Sequence, residues 1–130
     1  MSERVEYWLK LCEEDLLTAR ALFQSERYLH MGFYCHMIAE KGLKAVVAKK
    51  TNELPPKIHD LEKLAIRGDV FGIMSDEQKL LLRTLMPMQI ETRYPDEEET
   101  QVPELTLTSS EQLLKETEDF LCWIRQQLEK

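Results

Sequence analysis

The stretch YLHMGFYCHMIAEKGLKAVVAKK, residues 28–50, decides the fold. It contains no proline, and a step of about 100° per residue gathers most of its apolar side chains on an arc about half the circumference wide. The arc consists of Met31, Tyr34, Cys35, Ile38, Ala39, Gly42, Ala45 and Val46. Because this arc is wider than the stripe of an ordinary surface helix, we expect the helix to be covered on several sides, as the centre of a bundle.

The same projection puts His30, Met37, Lys41 and Lys44 together on a narrow strip opposite that arc. Two interpretations of the strip stay open. It is either a basic surface that takes part in the chemistry of the protein, or a solvated edge. In the second case the lysine stems lie along apolar surface while their ammonium groups reach water.

The composition bounds the class of protein. At 130 residues the chain has the length of one domain, residues 1–130, and can bury a core without metals or disulfides. Its 43% hydrophobic and 32% charged residues are typical of a globular protein. The net charge of -7 argues against a general nucleic-acid binder, whose surface is basic, but it is compatible with a small basic pocket.

Three features of the sequence predict a cytoplasmic protein. Cys12, Cys35 and Cys122 lack a CxxC spacing and lie among apolar residues, so we interpret all three as reduced core residues. The opening residues MSERVEYW are charged from the third position, unlike a signal peptide. No segment approaches the roughly eighteen consecutive apolar residues of a membrane span.

Helices are also predicted on both sides of the central one. Apolar residues spaced three and four apart predict a helix from residue 3 to about 24, and the short segment 25–27 predicts an antiparallel reversal. The adjacent prolines 55–56 interrupt any helix. A short helix is predicted from near residue 58 to about 67, with Gly68 ending it.

A fourth helix is predicted to open at the Ser-x-x-Gln capping box of residues 75–78 and to be kinked by Pro87. It must end by Tyr94, and residues 95–107 form a long acidic loop. A second capping-box pattern at residues 108–111 opens the last helix. The predicted fold is therefore all-α, an up-and-down helical bundle of about five helices with a long loop before the last helix.

Several familiar sites have no counterpart in the sequence. The four glycines are scattered and form no phosphate-binding loop. There is no HExxH motif, no Cys/His spacing suited to zinc and no nucleophile elbow. We therefore predict no cofactor and no metal.

Two short stretches are placed where chemistry is possible. His59-Asp60-Leu61 follows the double proline and opens the short helix. Arg93-Tyr94-Pro95-Asp96 leaves the fourth helix and offers a guanidinium suited to phosphate and a ring suited to stacking. Each has a plainer interpretation: Asp60 is a first-turn acid while His59 packs on a neighbour, and Arg93 satisfies helix-end carbonyls.

In combination these motifs are more specific. The order YWLKLCEEDL, AEKGLK, HDL and RYPD, at residues 7–16, 39–44, 59–61 and 93–96, resembles the prokaryotic HEPN domain family in its form associated with MNT-type nucleotidyltransferases. The resemblance extends from Tyr7 to the last helix. It implies an up-and-down bundle of about five helices that is often dimeric.

The resemblance also implies partners and activities. HEPN proteins are often encoded beside small MNT-type nucleotidyltransferases, as toxin–antitoxin pairs, so a homodimer, a nucleotidyltransferase partner and a nucleotide or RNA ligand are expected, with no membrane. Many members are metal-independent ribonucleases whose signature is an arginine and, after roughly four to six intervening residues, a histidine. This sequence departs from that signature, since Arg27 is too close to His30 and too far from His36, and His59 has no arginine at that distance. The departure removes the group expected to stabilise phosphate charge.

The leading hypothesis is a non-catalytic nucleotide- or RNA-binding module that acts with a partner protein. The basic residues would contact phosphate, the tyrosine would stack, and the others would supply polar contacts. Its ligand-binding residues are Lys41, Lys44, His59, Asp60, Arg93, Tyr94 and Asp96. This hypothesis requires the lysines, the imidazole and the guanidinium to converge on one hollow.

Two alternatives stay open. In the first alternative, the chain is a ribonuclease in which His59 is the base and Arg93 or Lys41 is the electrophilic group. Otherwise it is a protein-interaction scaffold without a ligand site, whose acidic segment 96–99 binds a basic partner while Arg93 pairs with Asp60.

Overall fold

Five helices make up the described part of the computed structural model, residues 1–89 and 105–130. They are α1 (Glu3–Gln24), α2 (Tyr28–Thr51), α3 (Leu61–Arg67), α4 (Asp76–Leu85) and α5 (Leu107–Leu128). Two 3-10 turns, Phe71–Ile73 and Met86–Gln89, follow α3 and α4. No strand occurs in the described ranges, so the predicted all-α fold of five helices is confirmed. None of these helices is long and apolar enough to cross a membrane.

α1 begins and ends where the apolar spacing predicts. The Ser2 hydroxyl accepts a hydrogen bond from the Val5 N–H at 3.2 Å and caps its first turn. At the other end Glu26 takes a left-handed conformation with φ of 60°, and the Arg27 N–H donates to the Leu22 carbonyl at 2.9 Å. This turn reverses the chain, so α1 packs along α2 as a helical hairpin.

α2 is the centre of the bundle, because it packs against each of the other four helices. Fourteen of its residues are buried, including residues outside the predicted apolar arc, so the helix is covered even more widely than expected. Asn52, in the left-handed region with φ of 56°, ends α2 by donating its N–H to the Ala48 carbonyl. Three polar side chains in the middle of α2, His36, Glu40 and Lys44, are therefore buried.

α3 begins later than predicted. Asp60 is its N-cap, accepting from the Lys63 N–H at 3.1 Å, and the first helical residue is Leu61 rather than one near Ile58. The reason is that an aspartate side chain satisfies a free N–H best from the position before the helix. Gly68 ends α3 as predicted, although the left-handed residue there is Asp69, with φ of 60°.

The two capping-box predictions have opposite outcomes. At α4 the reciprocal pair is confirmed: the Ser75 hydroxyl accepts from the Gln78 N–H at 3.1 Å, and the Gln78 side chain accepts from the Ser75 N–H at 2.9 Å. At α5 the prediction of Thr108 with Glu111 is wrong. Thr106 and Ser109 form the box two residues earlier, because a serine hydroxyl closes it where the expected pattern requires Glu or Gln.

The end of α4 lies within the described residues, whereas most of the predicted loop before α5 lies outside them. The stripe of Leu81, Leu82, Leu85 and Met88 is buried. Pro87 lies in the 3-10 turn that follows the helix instead of kinking α4. The predicted loop lies outside the described residues except for its last three, and helix α5 already begins at Leu107.

The three cysteines do not share one environment. Cys12 and Cys35 are buried as predicted, and burial raises the pKa of both thiols, that of Cys35 to about 12. Cys122 is exposed, so its assignment to the core is wrong. It lies between the buried Leu121 and Ile124 on α5, and a helix turns a residue one position away from its buried stripe toward solvent.

Gly42 marks a close approach of α2 to its neighbours, and we expect Gly42→Ala to stabilise the protein. A β-carbon there would lie 3.5 Å from two Ile124 carbons and 3.7 Å from the Cys12 sulfur, which is ordinary contact distance. Alanine in a helix interior is favoured over glycine by about 0.5–1 kcal/mol. Urea unfolding followed by circular dichroism measures the difference. Gly68→Ala is the control and should destabilise, since its β-carbon would lie 2.8 Å from Val46. A lower stability of Gly42→Ala would contradict the expectation.

Candidate functional site

A buried network of charged side chains crosses the middle of the bundle, with Glu40 at its centre. The Glu40 side chain is only 3% exposed. Its Oε1 accepts from His36 Nε2 at 3.2 Å and from His59 Nδ1 at 2.9 Å, and its Oε2 accepts from Lys44 Nζ at 3.0 Å. We call His36, Glu40, Lys44 and His59 the Glu40 cluster.

The local sequence explains three of its four members. His36, Glu40 and Lys44 follow one another at four-residue steps on α2, so their side chains stack along one face of the helix. Because α1, α3, α4 and α5 all cover α2, this face is buried although its residues are polar. A buried charge is tolerated only when it is paired and hydrogen-bonded, and the cluster provides that pairing.

The carboxyl group of Glu40 is held ionised. Burial by itself raises the pKa of Glu40. Hydrogen bonds from His36, Lys44 and His59, together with the charge of Lys44, lower the pKa by more than burial raises it, to about 2. The opposing effects differ in kind: burial disfavours any charge, whereas three donors stabilise this one.

His36 connects the cluster to α4. Its side chain is fully buried, and its Nδ1 lies 3.1 Å from the carbonyl oxygen of Leu85 while its Nε2 faces Glu40. Leu85 is the last residue of α4, where carbonyl groups lack partners within the helix. The ring of His36 therefore ties the end of α4 to the middle of α2.

Lys44 is an interior residue and not part of a solvated edge. Its side chain is 9% exposed, its ammonium group lies 5.4 Å from the centre of the Trp8 ring of α1, and its partner is Glu40. For Lys44, this burial contradicts the interpretation of the strip as a solvated edge. The cation–π contact and the ion pair together hold the ammonium group in place.

Lys41 points elsewhere. Its Nζ donates to the Asp15 carboxylate of α1 at 2.7 Å, and the two side chains are 20% and 13% exposed. The two lysines that the helical projection places together thus have different partners: Lys44 joins the Glu40 cluster, and Lys41 forms a separate pair with α1. Phosphate binding by either lysine stays a prediction.

The two polar residues of the HDL stretch have separate roles. The His59 side chain is 62% exposed and contacts the buried carboxylate through Nδ1. Asp60 is the cap of α3 and accepts from Lys63, which is the plainer interpretation of that residue. The fully buried Leu61, whose N–H lies 3.3 Å from the Met86 sulfur, anchors the start of α3 and so fixes the position of the preceding imidazole.

The structure brings two of the predicted site residues to one carboxylate, whereas their convergence on a shared hollow stays a prediction. His59 and Lys44 meet at opposite oxygens of Glu40. Lys41 does not join them, and Asp60 points into α3. Arg93, Tyr94 and Asp96 lie outside the described residues, so their place in the site stays a prediction.

Two residues at the centre of the Glu40 cluster, Glu40 and His36, are not among the ligand-binding residues predicted from the sequence. Glu40 lies within the quoted AEKGLK motif, and His36 is considered only for its distance from an arginine. The signal that finds both is the four-residue spacing of His, Glu and Lys inside an otherwise apolar helix, where each polar side chain needs a partner. Within residues 1–89 and 105–130, no group of three or more His, Cys, Asp or Glu side chains is arranged to hold a metal ion.

Comparisons with known proteins give one match. A family model described as the HEPN domain matches residues 5–127, nearly the full length of the chain. No curated protein and no solved structure matches this chain significantly. The match includes α2, α3 and α4 in full, all but the first two residues of α1 and the last residue of α5, and every residue of the Glu40 cluster.

Proposed function

The chain belongs to the HEPN domain family, and on that premise we propose that it is a nucleotide- or RNA-binding helical module that acts with a partner protein. The ligand site is the exposed His59 side of the Glu40 cluster, completed by Arg93 and Tyr94. Arg93 binds phosphate through its planar guanidinium, and Tyr94 offers a face for a base.

The exposed imidazole on a buried charged network is the observation that carries this proposal. His59 reaches solvent, while the carboxylate that holds it is 3% exposed. A buried carboxylate and lysine do not improve stability over apolar side chains of the same size. Their arrangement around one exposed histidine therefore supports a binding role.

The proposed partners are a second copy of the chain and a small MNT-type nucleotidyltransferase in a toxin–antitoxin-like pair. Membership of the HEPN family, whose resemblance implies dimers, supports self-association. Sedimentation velocity tests the homodimer. Co-purification with the nucleotidyltransferase encoded by a neighbouring gene tests the second partner.

Binding of a short fluorescent RNA, measured by anisotropy at low salt, tests the ligand site. We expect Arg93→Ala to weaken binding by about tenfold to a hundredfold, because a hydrogen bond to a charged group contributes about 1.5–3 kcal/mol. Arg67→Ala is the matched control, since it removes the same charge from an exposed position on α3 and should change the affinity less than about twofold. Equal affinities of wild type and Arg93→Ala, or no binding by either, would argue for the scaffold alternative.

The contact of His59 with Glu40 specifically favours a second function, metal-independent ribonuclease activity. A carboxylate bound to one ring nitrogen orients an imidazole for general-base catalysis at the other. Here Nε2 of His59 would accept the proton of a ribose 2′-hydroxyl as its oxygen bonds to the adjacent phosphorus. The bond from phosphorus to the 5′-oxygen of the next nucleotide would break, that oxygen would take a proton from water, and Arg93 would stabilise the phosphate charge.

Cleavage of transfer RNA tests this second function. If it is correct, His59→Ala lowers the rate by about a hundredfold or more, and His30→Ala, which removes an imidazole from outside the cluster, leaves it unchanged. The rate should not change when a chelator is added. Activity that persists in His59→Ala, or that disappears with chelator, would exclude the mechanism.

A further inference from the structure

The two ring nitrogens of His36 both face hydrogen-bond acceptors. Nδ1 lies 3.1 Å from the Leu85 carbonyl and Nε2 lies 3.2 Å from Glu40 Oε1. A carbonyl oxygen has no proton to donate, so Nδ1 must carry one. An ionised carboxylate also only accepts, so Nε2 must carry a second. Both bonds are satisfied at once only when His36 is an imidazolium.

The same reasoning fixes the tautomer of His59. Its Nδ1 lies 2.9 Å from Glu40 Oε1 and must donate to it. The cluster then holds a positive charge on His36 and on Lys44 against a single negative charge on Glu40. A proton on Nε2 of His59 would add a third positive charge around one carboxylate, which like-charge repulsion opposes.

We infer that Glu40 is a positioning residue that holds His36 as an imidazolium and His59 as the Nδ1–H tautomer, so that His59 presents an unprotonated Nε2 to the ligand. The ligand group opposite Nε2 is then a hydrogen-bond donor, a ribose hydroxyl or a nucleobase amino group, and not a phosphate oxygen. Naming this group rests on the proposed function, whereas the proton positions are a property of the protein by itself.

The surroundings of the cluster are consistent with this arrangement. Among the described residues, α2 supplies its charged groups, with His59 from the segment before α3. α1 contributes the Trp8 ring over Lys44, and α4 contributes the Leu85 carbonyl to His36. The carboxylate of Asp15 on α1 is paired with Lys41. No second carboxylate among these contacts competes for the His36 protons.

Long-range proton–nitrogen correlation spectra of the tag-free, ¹⁵N-labelled chain test the inference at about pH 7.5, where a free histidine is mostly neutral. The chain has three histidines, so His30→Gln and His59→Gln assign the signals. We expect two protonated nitrogens on His36. For His59 we expect a protonated Nδ1 and an Nε2 with the strong downfield shift of an unprotonated nitrogen.

Glu40→Gln should change both rings. The amide can donate to Nε2 of His36, which then loses its second proton, and His59 becomes a mixture of tautomers. Glu62→Gln is the matched control, since the partner of Glu62 among the described residues is the exposed Arg83, and it should leave both rings unchanged.

Either of two results in the wild-type spectrum would overturn the inference: a single proton on His36, or a proton on Nε2 of His59. The wild-type spectrum decides the question even if Glu40→Gln does not fold. Because no ligand is present in this experiment, its failure is distinct from a failure of the RNA-binding test. If the proton positions are as expected but the protein does not bind RNA, the proposed ligand is wrong and the inference about the proton positions stands.

Discussion

Glu40→Ala is expected to lower the free energy of unfolding by about 3–5 kcal/mol, because removing one partner of a buried ion pair leaves an uncompensated charge in the interior. Here two groups lose their partner at once: Lys44, which is 9% exposed, and His36, which is fully buried. The change should exceed the cost of the lost side-chain volume alone. Urea unfolding at neutral pH, followed by circular dichroism, measures it.

Two controls identify the cause of that loss. Glu62→Ala removes a carboxylate whose ion pair with Arg83 is exposed, and it should cost less than about 1 kcal/mol. Replacing all three α2 members of the cluster by apolar residues (His36→Leu, Glu40→Leu and Lys44→Met together) should recover much of the stability lost in Glu40→Ala. Equal losses in Glu40→Ala and Glu62→Ala would show that the cluster is not desolvated.

Acid is expected to destabilise the protein through the same carboxyl group. Its pKa is about 2 in the folded protein against an ordinary value of 4.5. A group whose pKa is lowered by folding stabilises the folded state fully above the unfolded pKa, and that stabilisation is lost as pH falls toward the folded pKa. With each pKa unit equivalent to about 1.4 kcal/mol, Glu40 should contribute about 3 kcal/mol that is lost between about pH 4.5 and pH 2.

The free energy of unfolding measured in urea at several pH values across that window tests this expectation. Wild type should lose stability steeply as the pH falls, and Glu40→Gln, which has no carboxyl group to protonate at that position, should start lower and lose less. Parallel curves for the two proteins would assign the acid sensitivity to other carboxyl groups. Glu62→Gln should follow the wild-type curve, because its carboxyl group is not buried.

The long helices were predictable because periodicity is repeated over many residues. α1 has the predicted bounds and α2 differs from its predicted end by one residue. The short features were less predictable, since one polar side chain decides each of them. Asp60 takes the position before α3 instead of its first turn, and a serine replaces the expected glutamate in the box that opens α5.

Only part of the Glu40 cluster was predictable from the sequence: Lys44 and His59 were candidate site residues, whereas Glu40 and His36 were not, and the contacts were not predictable. A helical projection places Lys41 and Lys44 side by side, yet it contains no information about the neighbouring helices. Asp15 of α1 attracts one lysine, and Glu40 with the Trp8 ring holds the other in the interior. The four-residue spacing of His36, Glu40 and Lys44 indicates that Glu40 needs a partner, and the depth at which the other helices bury it makes that partner essential.

The exposed Cys122 also provides a way to observe self-association directly. Thiolate is the species that reacts with maleimides, and Cys12 and Cys35 are both buried with raised pKa values, so the unmodified chain should accept a spin label at Cys122 alone. In a homodimer, pulsed electron paramagnetic resonance measures the distance between the two spin labels. A short distance would place α5 at the contact between subunits, and a long one would place it on the outside of the pair.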